Sequence, residues 1–227
     1  MDAIFIEDSE AEVSPPPAKN FLVSTHGDND ILCEFPVGKS PNVALTLRDY
    51  RTLGQGEFLN DIIIDFFLTW LHQAVLPVRE QSHVYIFPTM FYHRLVTTPS
   101  KVAMENSFEK DPGLSEAKKR HLRVKGWTKK VNIFQENMVI IPICEHSHWY
   151  LIIVVNLETV EQLEGIDEDG GEERREPFLL VLDSLGGGEP AAVEVIKDFL
   201  SMEWQVQVSV SDESLGIDNL IILQTPL

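Results

Sequence analysis

The chain has 227 residues, 44% of them hydrophobic and 24% charged, with 36 acidic against 18 basic side chains and a net charge of −18. That length suits one domain with a sizeable core, and the acidity argues against a general nucleic-acid binder, which needs phosphate-neutralising Lys and Arg. No apolar run is long enough to span a membrane, the N-terminus lacks the basic region and apolar core of a secretory signal, and two cysteines without a signal point to a reducing, intracellular setting.

Residues 1–20 read as a flexible arm, acidic and ending in Ser14-Pro15-Pro16-Pro17. Residues 21–56 read as irregular chain with short extended pieces; Cys33 lies there alone, which favours packing over chemistry. Asn60 can cap a helix that carries Asp61 in its first turn. Ile62, Ile63, Ile64, Phe66, Phe67, Leu68, Trp70 and Leu71 leave that helix little polar face, so it is expected to be buried in a layered core. His83–Met90 reads as a strand ended by Pro88, Phe91–Leu95 as the start of a short helix, and 97–114 as a loop. A helix from Ser115 opens a stretch that carries Lys118, Lys119, Arg120, Arg123, Lys125, Lys129 and Lys130. By itself that cluster suits RNA, an acidic partner or an ordinary solvated face, and the overall acidity weighs against nucleic acid.

Two apolar runs, Met138–Ile143 and Tyr150–Val155, are rich in Val and Ile, as buried strands should be. Between them Glu145-His146-Ser147 breaks the pattern and opens onto His148-Trp149. Glu158–Glu176 holds nine acids against two arginines and reads as a loop inserted in a β-hairpin. Phe178–Asp183 is another apolar run, ending in a carboxylate. Gly186-Gly187-Gly188 lacks the spacing of a phosphate loop and turns the chain into an amphipathic helix over Ala191–Trp204, with Ala192, Val193, Ile196, Phe199 and Leu200 on one face. In the tail, Val206, Val208 and Val210 alternate as in a strand before Ser211-Asp212-Glu213.

Taken alone, His148 is an ordinary strand-end histidine. An antiparallel pairing that sets His148 opposite Asp183, and Ile153 opposite Phe178, aligns both apolar runs and places a carboxylate beside an imidazole. That is what a base and its orienting group require.

These residues carry a resemblance. His148-Trp149, a strand, then Leu182-Asp183-Ser184 resembles the catalytic domain of the Ulp/SENP-type ubiquitin-like-protein proteases, which cleave SUMO. Glu57-Phe58-Leu59-Asn60-Asp61 followed by IIIDFFLTWL is similar to the start of the family's first helix. RHLRVKGWTKKVNIF, Arg120–Phe134, is similar to the block before the histidine strand in the SENP subgroup that trims SUMO chains, and an insertion at 158–176 fits that subgroup too. The likeness covers residues 36–205 in order. It implies an α+β, papain-like fold with a central mixed or antiparallel sheet flanked by helices, in a domain over 21–205 followed by a divergent tail at 206–227. It implies His148 as base, Asp183 as its orienting group, and Phe58 and Trp149 facing each other across the diglycine tail of SUMO, with Asp61 on the SUMO body. It also implies nuclear localisation, SUMO or its conjugates as partners, and no cofactor. Ile4-Phe5-Ile6 before Glu7-Asp8-Ser9-Glu10 resembles a SUMO-interacting motif, as the tail does more weakly, and such a segment adds a strand to a sheet edge.

The departure concerns the nucleophile. The family pattern continues to a glutamine and then a Cys-Gly; here Gln224 is followed by Thr225-Pro226-Leu227, and the cysteines are Cys33 and Cys144. The expectation is therefore a domain that lacks the part carrying the nucleophile, inactive or nearly so as written, because losing a hydrolase nucleophile costs on the order of a million-fold. Cys144 precedes His148 by four residues, ~13 Å along a straight strand. Cys144, His146 and His148 lack a fourth ligand and do not converge on zinc, so no metal is expected. The other readings are a catalytically dead SUMO-binding module and an unrelated α/β interaction protein.

Overall fold

The apolar runs on either side of His146-Ser147 form an antiparallel hairpin, β4 (Met138–Glu145) and β5 (His148–Val155), at the centre of a five-stranded sheet. The computed structural model describes residues 27–99, 108–157, 176–186, 191–207 and 221–226. β3 (Val84–Ile86) lies parallel to β4, β6 (Phe178–Asp183) antiparallel to β5, and β7 (Ile221–Pro226) parallel to β6, in the order β3-β4-β5-β6-β7. With helices against it, this mixed sheet is the α+β architecture expected.

Alternation along the strands sends Val139, Ile141, Ile143, Tyr150, Ile152, Val154, Leu179 and Val181 into one core. A short helix, α3 (Val78–Gln81), precedes β3, and three further helices cover that face. α4 (Met90–Val96) contributes Phe91 and Leu95, α5 (Glu116–Val124) contributes Val124, and α6 (Ala191–Gln207) contributes Ala192, Val193, Ile196, Phe199, Leu200 and Trp204. Ser115 caps α5 through its hydroxyl, which accepts from the Lys118 amide. α6 runs three residues past the expected end, so Val206 lies in its last turn rather than in a strand; the strand of the tail is β7.

The short extended pieces of 21–56 are a two-stranded hairpin, β1 (Ile31–Phe35) and β2 (Val43–Thr46), followed by α1 (Leu47–Arg51). Thr46 and Asp49 cap α1 reciprocally. α2 (Asp61–Trp70) departs from expectation. Only Ile63 and Leu68 are buried, while Ile62, Phe67 and Trp70 are 36%, 53% and 40% exposed. It packs along one flank, beside β1 and β2, and Phe67 and Trp70 stack on each other at 5.9 Å on the open side.

The β5–β6 register also differs. Leu182 pairs with Leu151 and Phe178 with Val155, two residues away from the pairing that set His148 opposite Asp183. Apolar residues fill every rung this way, and a shift of two keeps each side chain on its face. The 1–20 arm with Ile4-Phe5-Ile6, the body of the 158–176 insertion, Gly187-Gly188 and the Val208–Glu213 stretch lie outside the described residues.

Candidate active site

The hairpin turn fixes the site. Two-residue hairpin loops favour a turn with both central residues at positive φ, which Asn-Gly supplies best. Here His146 and Ser147 hold φ of 52° and 63°. That two-residue turn, strained in non-glycine residues, makes His148 the first residue of β5, beyond the last rung shared with β6.

Asp183 closes β6 level with Tyr150, one same-face step from His148. His148 Nε2 lies 2.6 Å from Asp183 Oδ1, which also accepts from the Leu185 amide at 2.9 Å. The side chains are 26% and 19% exposed. The hydrogen bond from His148, then that from Leu185, holds the Asp183 carboxyl below its ordinary value. An ionised carboxylate only accepts, so the imidazole donates from Nε2. Nδ1 is left with no hydrogen-bond partner among the described residues. Such a ring is oriented and can move a proton at Nδ1.

Beside it the Tyr150 ring lies 6.1 Å from the imidazole, inclined by 21°. Glu145, paired with His148 across the turn, accepts from Tyr92 Oη at 2.9 Å and Tyr150 Oη at 2.7 Å. Burial, and then the bond to Glu145, pushes both phenols well above their ordinary value.

Trp149 leaves the opposite face, where its indole Nε1 donates to the Leu59 carbonyl at 2.9 Å. That ties β5 to the segment before α2. Asn60 anchors the segment by accepting from the Ile63 amide at 3.0 Å and donating to Asp49 Oδ1 at 2.7 Å. Burial raises the Asp49 carboxyl, but bonds from Thr46 and Asn60 outweigh it and hold the group below its ordinary value. Phe58 projects outward, 72% exposed, and Asp61 is exposed in the first turn of α2. The structure thus brings His148 to Asp183, and Trp149 to the segment that bears Phe58 and Asp61. No ring contact joins Phe58 and Trp149 among the described residues.

Cys144 pairs with Trp149 across the hairpin, whereas His148 pairs with Glu145. Neighbouring positions point to opposite faces, so the Cys144 thiol and the imidazole are separated by the sheet. Partial burial, Asp61 and Glu145 push that exposed thiol above its ordinary value, the reverse of what a thiolate nucleophile needs. Cys33 is exposed on β1. Among the described residues no group of three His, Cys, Asp or Glu side chains can hold a metal ion, and no helix is long and apolar enough to cross a membrane.

Sequence reasoning left Tyr92, Tyr150 and the Leu59 carbonyl unassigned. Tyr150 was within reach, since it shares a strand face with His148. Tyr92 and Leu59 lie 53 and 90 residues from their partners, and no local pattern marks them.

A family model described as the Ulp1 protease family, C-terminal catalytic domain, matches residues 57–220. Human sentrin-specific protease 7 is 29% identical over 213 residues, which span 73% of this chain and 20% of the relative. The chain therefore corresponds to about a fifth of that protein's length. Among solved structures, one described as the de-sumoylating protease superposes with a TM-score of 0.61 at 20% identity, covering 87% of this chain and 64% of the other. The C-terminal Ulp1 protease domain in complex with Smt3, the yeast ortholog of SUMO, gives 0.53 at 20% identity, covering 89% and 69%. At that identity the structural likeness speaks for the fold.

Proposed function

Because this chain belongs to the Ulp1 protease family, as a catalytic domain of the Ulp/SENP type, we propose that it binds SUMO and is built for cysteine-type cleavage after SUMO's diglycine end. The observation that carries this reading is the 2.6 Å bond from His148 Nε2 to Asp183 at the mouth of the sheet, next to a tryptophan fastened over the segment before α2. His148 takes the thiol proton and returns it to the leaving amine; Asp183 holds the ring and stabilises its charged form. Trp149 and Phe58 flank a passage that only side-chain-free residues enter, and Asp61 meets the SUMO body. Intracellular, nuclear placement belongs to this reading.

We further propose that the chain as given does not turn over substrate. Its two cysteines are Cys33 and Cys144, and Cys144 sits across the sheet from the base with a raised thiol. That observation favours a second reading, a catalytically dead module that retains the SUMO surface.

The test is to mix the chain with SUMO that bears an electrophile in place of its C-terminal carboxylate, and to read intact mass alongside non-covalent affinity. Expected are no adduct and measurable binding that Trp149→Ala weakens by about tenfold. An adduct on Cys144, lost in His148→Ala, overturns the inactive assignment. Absence of any binding overturns the SUMO reading itself.

A further inference from the structure

Two carboxylates flank one imidazole at the mouth of the sheet. Glu145 is the nearer in the ladder, directly opposite His148 across the turn, where facing residues lie ~5 Å apart at Cβ. Asp183 is reached only diagonally, yet His148 bonds Asp183. The reason lies in what Glu145 already holds. Its Oε1 accepts from Tyr92, delivered by α4, and its Oε2 from Tyr150, two residues along β5. Each carboxylate oxygen has one phenol, and the Tyr150 ring also lies against the imidazole face.

We propose that Tyr92 and Tyr150 are positioning residues for the His148 base: by occupying Glu145 they commit the imidazole to Asp183 through Nε2–H and keep Nδ1 open to accept a proton. This rests on the reading of His148 and Asp183 as the proton-handling pair, and adds the device that selects between two carboxylates. Without the phenols, Glu145 turns to the ring beside it and draws the N–H to Nδ1. That is the wrong tautomer, with the accepting nitrogen blocked. Both phenols stay protonated, since burial and Glu145 push them upward. The strained turn at His146 and Ser147 fits the same purpose, because it brings Glu145 and His148 face to face and makes a selector necessary.

The readout is the ¹⁵N spectrum of the His148 ring in the intact chain, assigned by its loss in His148→Gln. The expected wild-type state is the Nε2–H tautomer. In Tyr92→Phe/Tyr150→Phe, which keeps both rings, the Nδ1–H share should rise several-fold; adding Glu145→Ala should return the ring to Nε2–H. A tyrosine pair that only packs moves neither. Should the double variant unfold, each single Tyr→Phe variant carries the same test with a smaller shift. Asp183→Ala, which removes the accepting oxygen outright, separates the pair from the selector. If it abolishes the Nε2–H preference while the Tyr→Phe variants leave it intact, the selector is wrong and the pair stands. If it changes nothing, the pair falls and the selector with it.

Discussion

Among the described residues two histidine–carboxylate pairs of nearly equal length sit in opposite surroundings. His121 Nε2 lies 2.5 Å from Glu203 Oε2, with side chains 2% and 3% exposed; His148 Nε2 lies 2.6 Å from Asp183 Oδ1, with side chains 26% and 19% exposed. Around the first pair everything is closed. Glu203 also accepts from Thr128 and Gln207, which fastens α5 and the turn after it to α6. His121 Nδ1 is buried with no hydrogen-bond partner among the described residues. Around the second pair the side chains are part exposed, Nδ1 has no hydrogen-bond partner among the described residues, and Asp183 is otherwise held by backbone. Bond length does not distinguish a staple from a working pair. What distinguishes them is whether the second ring nitrogen can be reached.

The largest effect should follow the removal of Glu203. Glu203→Ala leaves His121 without its buried partner and should cost about 3–5 kcal/mol, read by urea unfolding. Acid should show the same contrast. Burial raises the Glu203 carboxyl, but bonds from His121, Thr128 and Gln207 outweigh it and hold the group below its ordinary value of 4.5. A depressed carboxylate stabilises the fold above its unfolded value, and that share is lost as pH falls through the lower folded value. Wild type should therefore lose stability more steeply below about pH 4.5 than Glu203→Gln does. Next in size is Arg123→Lys. Arg123 forks onto Glu109 at 2.6 and 2.8 Å and reaches the Leu95 carbonyl at 3.0 Å. Lysine cannot reproduce that geometry, and a loss of about 1–3 kcal/mol is expected in the same titration.

The open pair was legible in the sequence and the closed one was not, for a physical reason. His148 and Asp183 each sit at the end of an apolar run, and the two-residue period fixes which face each occupies. Even a register wrong by two therefore leaves them neighbours. His121 and Glu203 lie 82 residues apart on two helices. His121 sits inside a basic run that reads as a solvated face or a polyanion site, although Arg123, Arg120 and Lys119 are spent on Glu109, Asp198 and Glu116. The open flank of α2 was equally hidden: a helix apolar nearly all round implies burial, and nothing local says that neighbours cover only Ile63 and Leu68. The Trp149 bond to Leu59 ends on a backbone carbonyl, which no residue type announces.

Two smaller changes set the two pairs further apart. His146→Asn with Ser147→Gly supplies the residues that the turn's positive φ angles favour. It should stabilise the hairpin by about 0.5–1 kcal/mol, without moving the tautomer of His148. The smallest effect on stability should come from Asp183→Ala. The same truncation at Glu203 breaks a buried network. At Asp183 it removes the oxygen that accepts from the ring and from Leu185 at a wet sheet end, where water replaces it. The urea midpoint should stay within error of wild type while the His148 ring loses its fixed tautomer. Stability and orientation then separate at one pair and fail together at the other. If Asp183→Ala lowers the midpoint as far as Glu203→Ala, both pairs are staples, and the mouth of the sheet loses its claim to be a proton-handling site.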